Sequence, residues 1–306
     1  MTASNSVLKG RSRRMALVLC LNSALVIAEV SGGIVSHSTA LVADAGHNVA
    51  DSIGFMLVLV ALRYSLRSPT VEHSFGYHRS TILAALANVA IVLAVAMLIA
   101  TEAIYRLFHP VAVHGALVAI IGGCALVVNA ISARIVYEKS RELSSRSALI
   151  HVLGDALSSL GVLIGGLIIF ATGRFFLLDP ILSLAISGIV ATMGIRLVKQ
   201  CVNILSESVP SDVDLASVAQ SIADVEGVSE VHDMHCWSLS SEVRALSAHV
   251  VLSGHPTLEQ AQDLAERIKI VVGPRYGIAH STLELECERC VDEDSATCAI
   301  DTFGVP

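Results

Sequence analysis

TALVADAGHNVADSIGFMLVLVALRY, residues 39–64, decides the fold. The stretch exceeds the ~20 apolar residues that a helix needs to cross a bilayer. Yet it carries His47 and Asp51 near its middle. In the second half of the chain HVLGDAL, residues 151–157, repeats the H-x-x-x-D spacing with His151 and Asp155. On a helix, positions four apart share a face, with Cβ atoms ~5–6 Å apart. An ionised aspartate at the centre of a membrane helix costs ~2.5–3.5 kcal/mol on the insertion scale. Two such residues, each beside a histidine, require compensation, and a bound metal cation is the simplest source of it.

Composition points the same way. The 306 residues are 54% hydrophobic and 15% charged, with a mean hydropathy of +0.69. That balance excludes an ordinary soluble domain and fits a polytopic α-helical membrane protein with an appended soluble part. The net charge of −7 reflects acidic residues gathered after residue 205, and no basic block or aromatic-rich tract points to nucleic acid. A basic start, KGRSRR, leads into an apolar run without an A-x-A cleavage signal, so we read a retained first span. Cys20, Cys124 and Cys201 lie in or beside apolar runs and read as buried small hydrophobes.

Apolar runs at roughly 15–35, 40–64, 80–104, 115–136, 147–171 and 178–198 predict six spanning helices in the bilayer. Lys9, Arg11, Arg13 and Arg14 precede the first, and Arg67 and Arg79 flank the second loop. Arg134, Lys139, Arg141 and Arg146 fill the fourth loop, and Arg196 and Lys199 follow the sixth span. The positive-inside rule then places both termini in the cytoplasm. Small residues around each H-x-x-x-D pair permit close helix packing. Beyond about Pro210 the pattern becomes α-β-β-α-β, with two strands joined at Ser240–Ser241 and a helix over TLEQAQDLAERIKIVVG. This predicts a small α+β domain with helices on one face. The chain thus divides into a cytoplasmic segment 1–14, a six-helix transport domain 15–205, a cytoplasmic domain 206–290 and a flexible acidic tail 291–306.

Two imidazoles and two carboxylates form an N2O2 set that suits tetrahedral Zn²⁺, and also cobalt, nickel or iron. A single H-x-x-x-D could merely bridge helices; two at one spacing argue for a site. Asp44, one turn before His47, reads as a helix-start or mouth residue rather than a ligand.

With EHSFGYHR (72–79), EAIYRLFHP (102–110), SESVP (206–210), HDMHCWSL (232–239) and LSAHVVL (246–252), the sequence resembles the cation diffusion facilitator family, in its zinc-transporting branch. The resemblance covers about residues 15–290. It implies a six-transmembrane-helix bundle with a C-terminal cytoplasmic ferredoxin-like, metallochaperone-like domain, working as a homodimer. It also implies efflux of Zn²⁺, or of Cd²⁺ or Co²⁺, from the cytoplasm against protons. The transport ligands would be His47, Asp51, His151 and Asp155. His73 falls on a loop metal site of the family, where Tyr77 replaces a second histidine of some members and His78 lies alongside. His232, His249 and His280 match metal-binding positions at the cytoplasmic dimer interface, although Thr282 stands where the family has an aspartate. Cys287 or Cys290, in C-E-R-C, could supply a ligand instead. Each histidine could equally be an ordinary sheet residue. Arg79 and Glu207 match a charge interlock between the second loop and the end of the sixth span.

Two other classes fit the sequence less well. An intramembrane metalloprotease lacks its H-E-x-x-H, so no enzyme is expected. A membrane-tethered metal sensor would use the cytoplasmic histidines, but six spans exceed what an anchor needs. The fourth loop, YEKSRELSSRS, has no histidine-rich insert, which favours a bacterial cytoplasmic membrane.

Overall fold

Apolar runs interrupted by small residues form six successive helices among the described residues. They are α1 (Leu21–Ser36), α2 (Thr39–Ser65), α3 (Ser80–Phe108), α4 (Gly115–Tyr137), α5 (Ser145–Thr172) and α6 (Leu178–Leu205). The computed structural model describes residues 21–65, 67–137, 145–241 and 243–288, without the side chains at 51, 55, 58, 59 and 132–153. Residues 1–14, Cys20, Cys290, Cys298 and the tail 291–306 lie outside the described residues. Among the described residues, three stretches, Ser80–Phe108, Gly154–Thr172 and Leu178–Leu205, are long and apolar enough to cross a membrane. α6 runs seven residues past the apolar run predicted to end at 198. Apolarity stops at the polar residues Lys199 and Gln200, whereas helical hydrogen bonding does not depend on it.

The chain forms two compact units, Met1–Leu57 with Ala87–Leu197 and Val58–Leu86 with Val198–Pro306. In the first, Leu41, Ala43, Ala96, Val118, Val162 and Ile186 build a core from α2 to α6. α4 and α5 pack closely enough that a Cβ on Gly166 would lie 2.6 Å from the Ala119 backbone nitrogen, and one on Gly115 2.5 Å from that of Phe170. Glycine lets the two backbones meet, as in membrane helix pairs generally.

The start of α2 is fixed from α6. Asp179, in the first turn of α6 and buried, accepts hydrogen bonds from the Thr39 amide (2.6 Å), the Thr39 hydroxyl (2.7 Å), the Ala40 amide (3.4 Å) and the Ser38 hydroxyl. One carboxylate thus caps the otherwise unpaired amides of α2 and sits near the positive ends of two helices. The preceding turn is tight: His37 has φ 57°, its carbonyl accepts from Arg106, and the His114 amide donates to the Ser36 carbonyl (3.1 Å).

In the second unit α7 (Leu215–Ala223), β1 (Val228–Ser238), β2 (Arg244–Leu252), α8 (Leu258–Tyr276) and β3 (Ile278–Glu286) give the predicted α-β-β-α-β order. The sheet order is β1-β2-β3, with β1 and β2 antiparallel and β2 and β3 parallel. Val218 and Ile222 of α7 and Leu264, Ile268 and Val272 of α8 share one core with alternate strand residues such as Leu246, Ala248 and Val250. Both helices therefore cover a single face. α8 opens with a Thr257–Gln260 capping box and ends at Gly277 (φ 68°). It passes Gly273, where the sequence suggested an end, and takes Pro274 into its last turn. Tyr276 holds that turn: its hydroxyl donates to the Ser217 carbonyl (2.7 Å) and lies 2.7 Å from the Ser221 hydroxyl. A hydrogen bond from Arg244 (2.7 Å) holds the Asp212 carboxyl below its ordinary range. Arg79 and Glu207 form the expected ion pair; it is exposed and worth under about 1 kcal/mol.

Two substitutions test these contacts. Gly166→Ala should part α4 from α5 and cost about 1–3 kcal/mol. Asp179→Ala should leave buried donors of α2 unpaired and cost on the order of 3 kcal/mol. Both are read from thermal unfolding of the detergent-purified protein.

Candidate metal centres

The two H-x-x-x-D repeats come together. His47 on α2 and Asp155 on α5 lie 3.1 Å apart, Nε2 to Oδ1, and both are largely buried. Asp51 and His151 sit one helical turn from these partners, in α2 and α5, with side chains outside the described residues.

A shell of hydrogen-bonded polar side chains surrounds this pair. Asp44, buried, accepts from the hydroxyls of Ser158 (2.6 Å) and Ser159 (3.1 Å). Its place under α5 differs from the helix mouth read in the sequence, because adjacent serines on α5 satisfy it. Asn129 of α4 donates to Ser159 (3.0 Å) and to the Asp155 carbonyl (3.4 Å). Glu29 of α1, also buried, accepts from Asn48 of α2 (2.9 Å). Neither Glu29 nor Asp179 was singled out in the sequence. A carboxylate inside an apolar run was the signal available for Glu29.

A second cluster lies on the sheet face away from the helices. His232 and His249 are register partners on β1 and β2. Their rings stand 5.2 Å apart, and each meets Glu286 at the end of β3. His249 Nδ1 is 2.8 Å from its Oε1, and His232 Nε2 is 3.4 Å from its Oε2. One ligand atom from each of the three falls within 4.8 Å of the others. Both ring nitrogens of His232 are buried without a hydrogen bond among the described residues. Buried polar atoms are rarely left so, and a cation would occupy one of the two, the other keeping its proton. A bulge shapes the site. Between His232 and His235 the register shifts, and Asp233 adopts φ 47°. The extra residue keeps both Val231 and Met234 in the core and brings Asp233 Oδ2 to 3.2 Å from His249 Nε2. Glu284 stands at 3.4 Å from the same nitrogen.

The other predicted ligands lie apart from this cluster. His280 pairs in register with Ala245, four positions from His249, which is ~13 Å along a strand. Its ring meets Phe75 edge-on at 5.6 Å. Cys287 is exposed just past β3. His73 is exposed in its loop, its ring stacked on Tyr77 at 4.4 Å. Glu286 escaped the sequence reading because strand pairing, rather than a motif, carries it to the histidines.

An apolar helical unit with an imidazole–carboxylate pair inside it, joined to a small sheet domain with its own histidine cluster, defines a class of membrane protein that handles metal cations. Residues 15–206 match the cation efflux transmembrane domain, and residues 210–288 match the cation efflux protein cytoplasmic domain. The chain belongs to the cation efflux, or cation diffusion facilitator, family. It is 34% identical to the zinc transporter ZitB of Escherichia coli strain K12, across 96% of this chain and 93% of that relative. It is 32% identical to the metal cation efflux system protein CzcD of Cupriavidus metallidurans, across 94% and 90%. It is 31% identical to a cadmium, cobalt and zinc/H(+)-K(+) antiporter of Bacillus velezensis, across 96% and 94%.

Proposed function

We propose that this protein exports divalent metal cations from the cytoplasm, Zn²⁺ foremost, in exchange for protons. The observation that carries the reading is the 3.1 Å approach of His47 to Asp155, which joins the two H-x-x-x-D repeats into one site. Asp51 and His151, each a turn away on the same helices, complete a His2Asp2 set for the transported ion. The names of the relatives, which include zinc transporters and a cation/proton antiporter, support both cargo and counter-ion. Imidazole and carboxylate hold such a cation only when deprotonated, so metal and proton compete for the same atoms. That competition couples the two flows. The metal leaves when protons take its ligands, and protons leave when metal returns from the other side. His and Asp without thiolate bind the ion loosely enough to release it.

The remaining parts follow from the same reading. α1–α6 form a six-span bundle with both termini cytoplasmic, in a bacterial inner membrane. The α-β-β-α-β domain is ferredoxin-like and pairs with that of a second chain in a homodimer. His232, His249 and Glu286 hold a regulatory cation there; His280 and the Cys287–Cys290 pair serve the facing chain or a further ion, and His73 a loop site. No enzymatic step is involved.

Zn²⁺ flux into proteoliposomes under an imposed pH gradient tests the transport site. Asp51→Ala and Asp155→Ala should each lower it about tenfold or more; near-normal flux in both would sink the assignment. The regulatory site predicts that His232→Ala with Glu286→Gln lowers zinc affinity of the cytoplasmic site on the order of 100-fold in calorimetry on the full chain. Flux should then lose part of its dependence on cytoplasmic zinc. Unchanged binding would remove the site from the account.

A further inference from the structure

Asn88 is the one polar residue in the apolar run 82–100 of α3. Its amide lies against α2. A Cβ on Gly54 of α2 would stand 2.3 Å from Asn88 Nδ2, so the amide fills the space that a side chain at position 54 would take. The pairing of the two helices continues from there. A Cβ on Gly46 would lie 3.0 Å from both Val95 and Ile99, and Val92 and Val95 line one cavity with His47. Positions 88, 92, 95 and 99 share one face of α3. That face runs antiparallel along α2, and Asn88 is its polar member. On its far side α3 packs against α6, where a Cβ on Gly194 would lie 2.8 Å from Leu93 and 3.3 Å from Val89. These contacts set the rotation of α3 about its axis.

On α2, positions 47, 51 and 54 share one face, at i, i+4 and i+7. The amide of Asn88 therefore takes the third place on the stripe that His47 and Asp51 begin, about 4.5 Å beyond position 51 along the helix. Its oxygen is free. Asn88 Oδ1 is buried and has no hydrogen-bond partner among the described residues. Two other amides near the site are engaged, Asn48 with Glu29 and Asn129 with Ser159. Buried carbonyl oxygens seldom lack a donor. One that continues a stripe of cation ligands has the chemistry of a cation ligand itself.

We propose that Asn88 Oδ1 is a further ligand for the divalent cation, holding it on the cytoplasmic side of the His2Asp2 set. The inference rests on the transporter reading above, under which α3 begins at the cytoplasm. An amide suits this place. It is neutral and stays unprotonated, so it binds the entering ion without holding a proton against it. A carbonyl oxygen suits zinc less well than imidazole does, so the ion is drawn onward to the histidines. Gly54 is part of the device, because any side chain there would push the amide off the stripe.

Calorimetric titration of Zn²⁺ into the full chain in lipid nanodiscs tests this. His232→Ala with Glu286→Gln is present throughout, to silence the sheet cluster. Asn88→Leu keeps the volume without the oxygen and should weaken the remaining binding about tenfold. Asn88→Asp keeps the shape and makes the ligand anionic, and should tighten it by about as much. A ligand moves the two variants in opposite directions, whereas a packing role weakens both. Unchanged affinity in a folded leucine variant would overturn the proposal, and is the result expected if Oδ1 holds only a water. If the leucine variant does not fold, Asn88→Asp decides, and binding no tighter than with Asn88 overturns it. Zn²⁺ flux by the unsubstituted chain under a pH gradient reports separately on the transporter reading. Opposite binding shifts without flux keep the ligand and reject the transporter, and flux without those shifts does the reverse.

Discussion

A carboxylate held away from water must find its donors on the protein, and here those donors lie on other helices. Glu29 of α1 takes Asn48 of α2. Asp44 of α2 takes Ser158 and Ser159 of α5, and Asp155 of α5 meets His47 of α2. Asp179 of α6 takes the start of α2. Each of these contacts has α2 on one side, so α2 is bound to α1, α5 and α6 by polar groups as well as by packing. In a low-dielectric interior an unpaired member would be costly, so the set is all-or-nothing in character. The position of His47 is a result of that set rather than of α2 alone.

Much of this was legible in the chain, for a physical reason. A polar pair inside an apolar run violates the local solvent, and its repetition at one spacing fixes a shared helical face. That puts His47 and Asp155 in one expected set, and their side chains do meet at 3.1 Å. The strand–helix order after Pro210 was equally open, because period-2 and period-3.6 patterns are local. Contacts that depend on pairing were not. Glu286 belongs with His249 because β2 and β3 run parallel in one register, and no spacing in the sequence encodes that register. Asp44 reads as a boundary residue until α5 is laid against it. α8 outlasts Gly273 because Tyr276 finds an acceptor on α7, the Ser217 carbonyl, a tertiary effect that overrides a local stop signal.

The sheet domain handles the same chemistry by a different device. Helices cover one face, and on the other face the bulge at Asp233 places an extra acidic side chain beside two histidines. A regular strand would have sent Asp233 or Met234 to the wrong side. The bulge resolves that conflict by giving the core and the polar face one residue each. Its positive φ is the local expense of serving both.

The glycine seam between α4 and α5 has a mechanical consequence. Where two backbones touch without side chains between them, no rotamer change can absorb a shift of one helix against the other. Asn129 on α4 already bonds the Asp155 carbonyl on α5, so the seam and the site share one stiff strut. A rigid shift of α5 would therefore carry α4 with it, so the two helices behave as one element toward the rest of the unit.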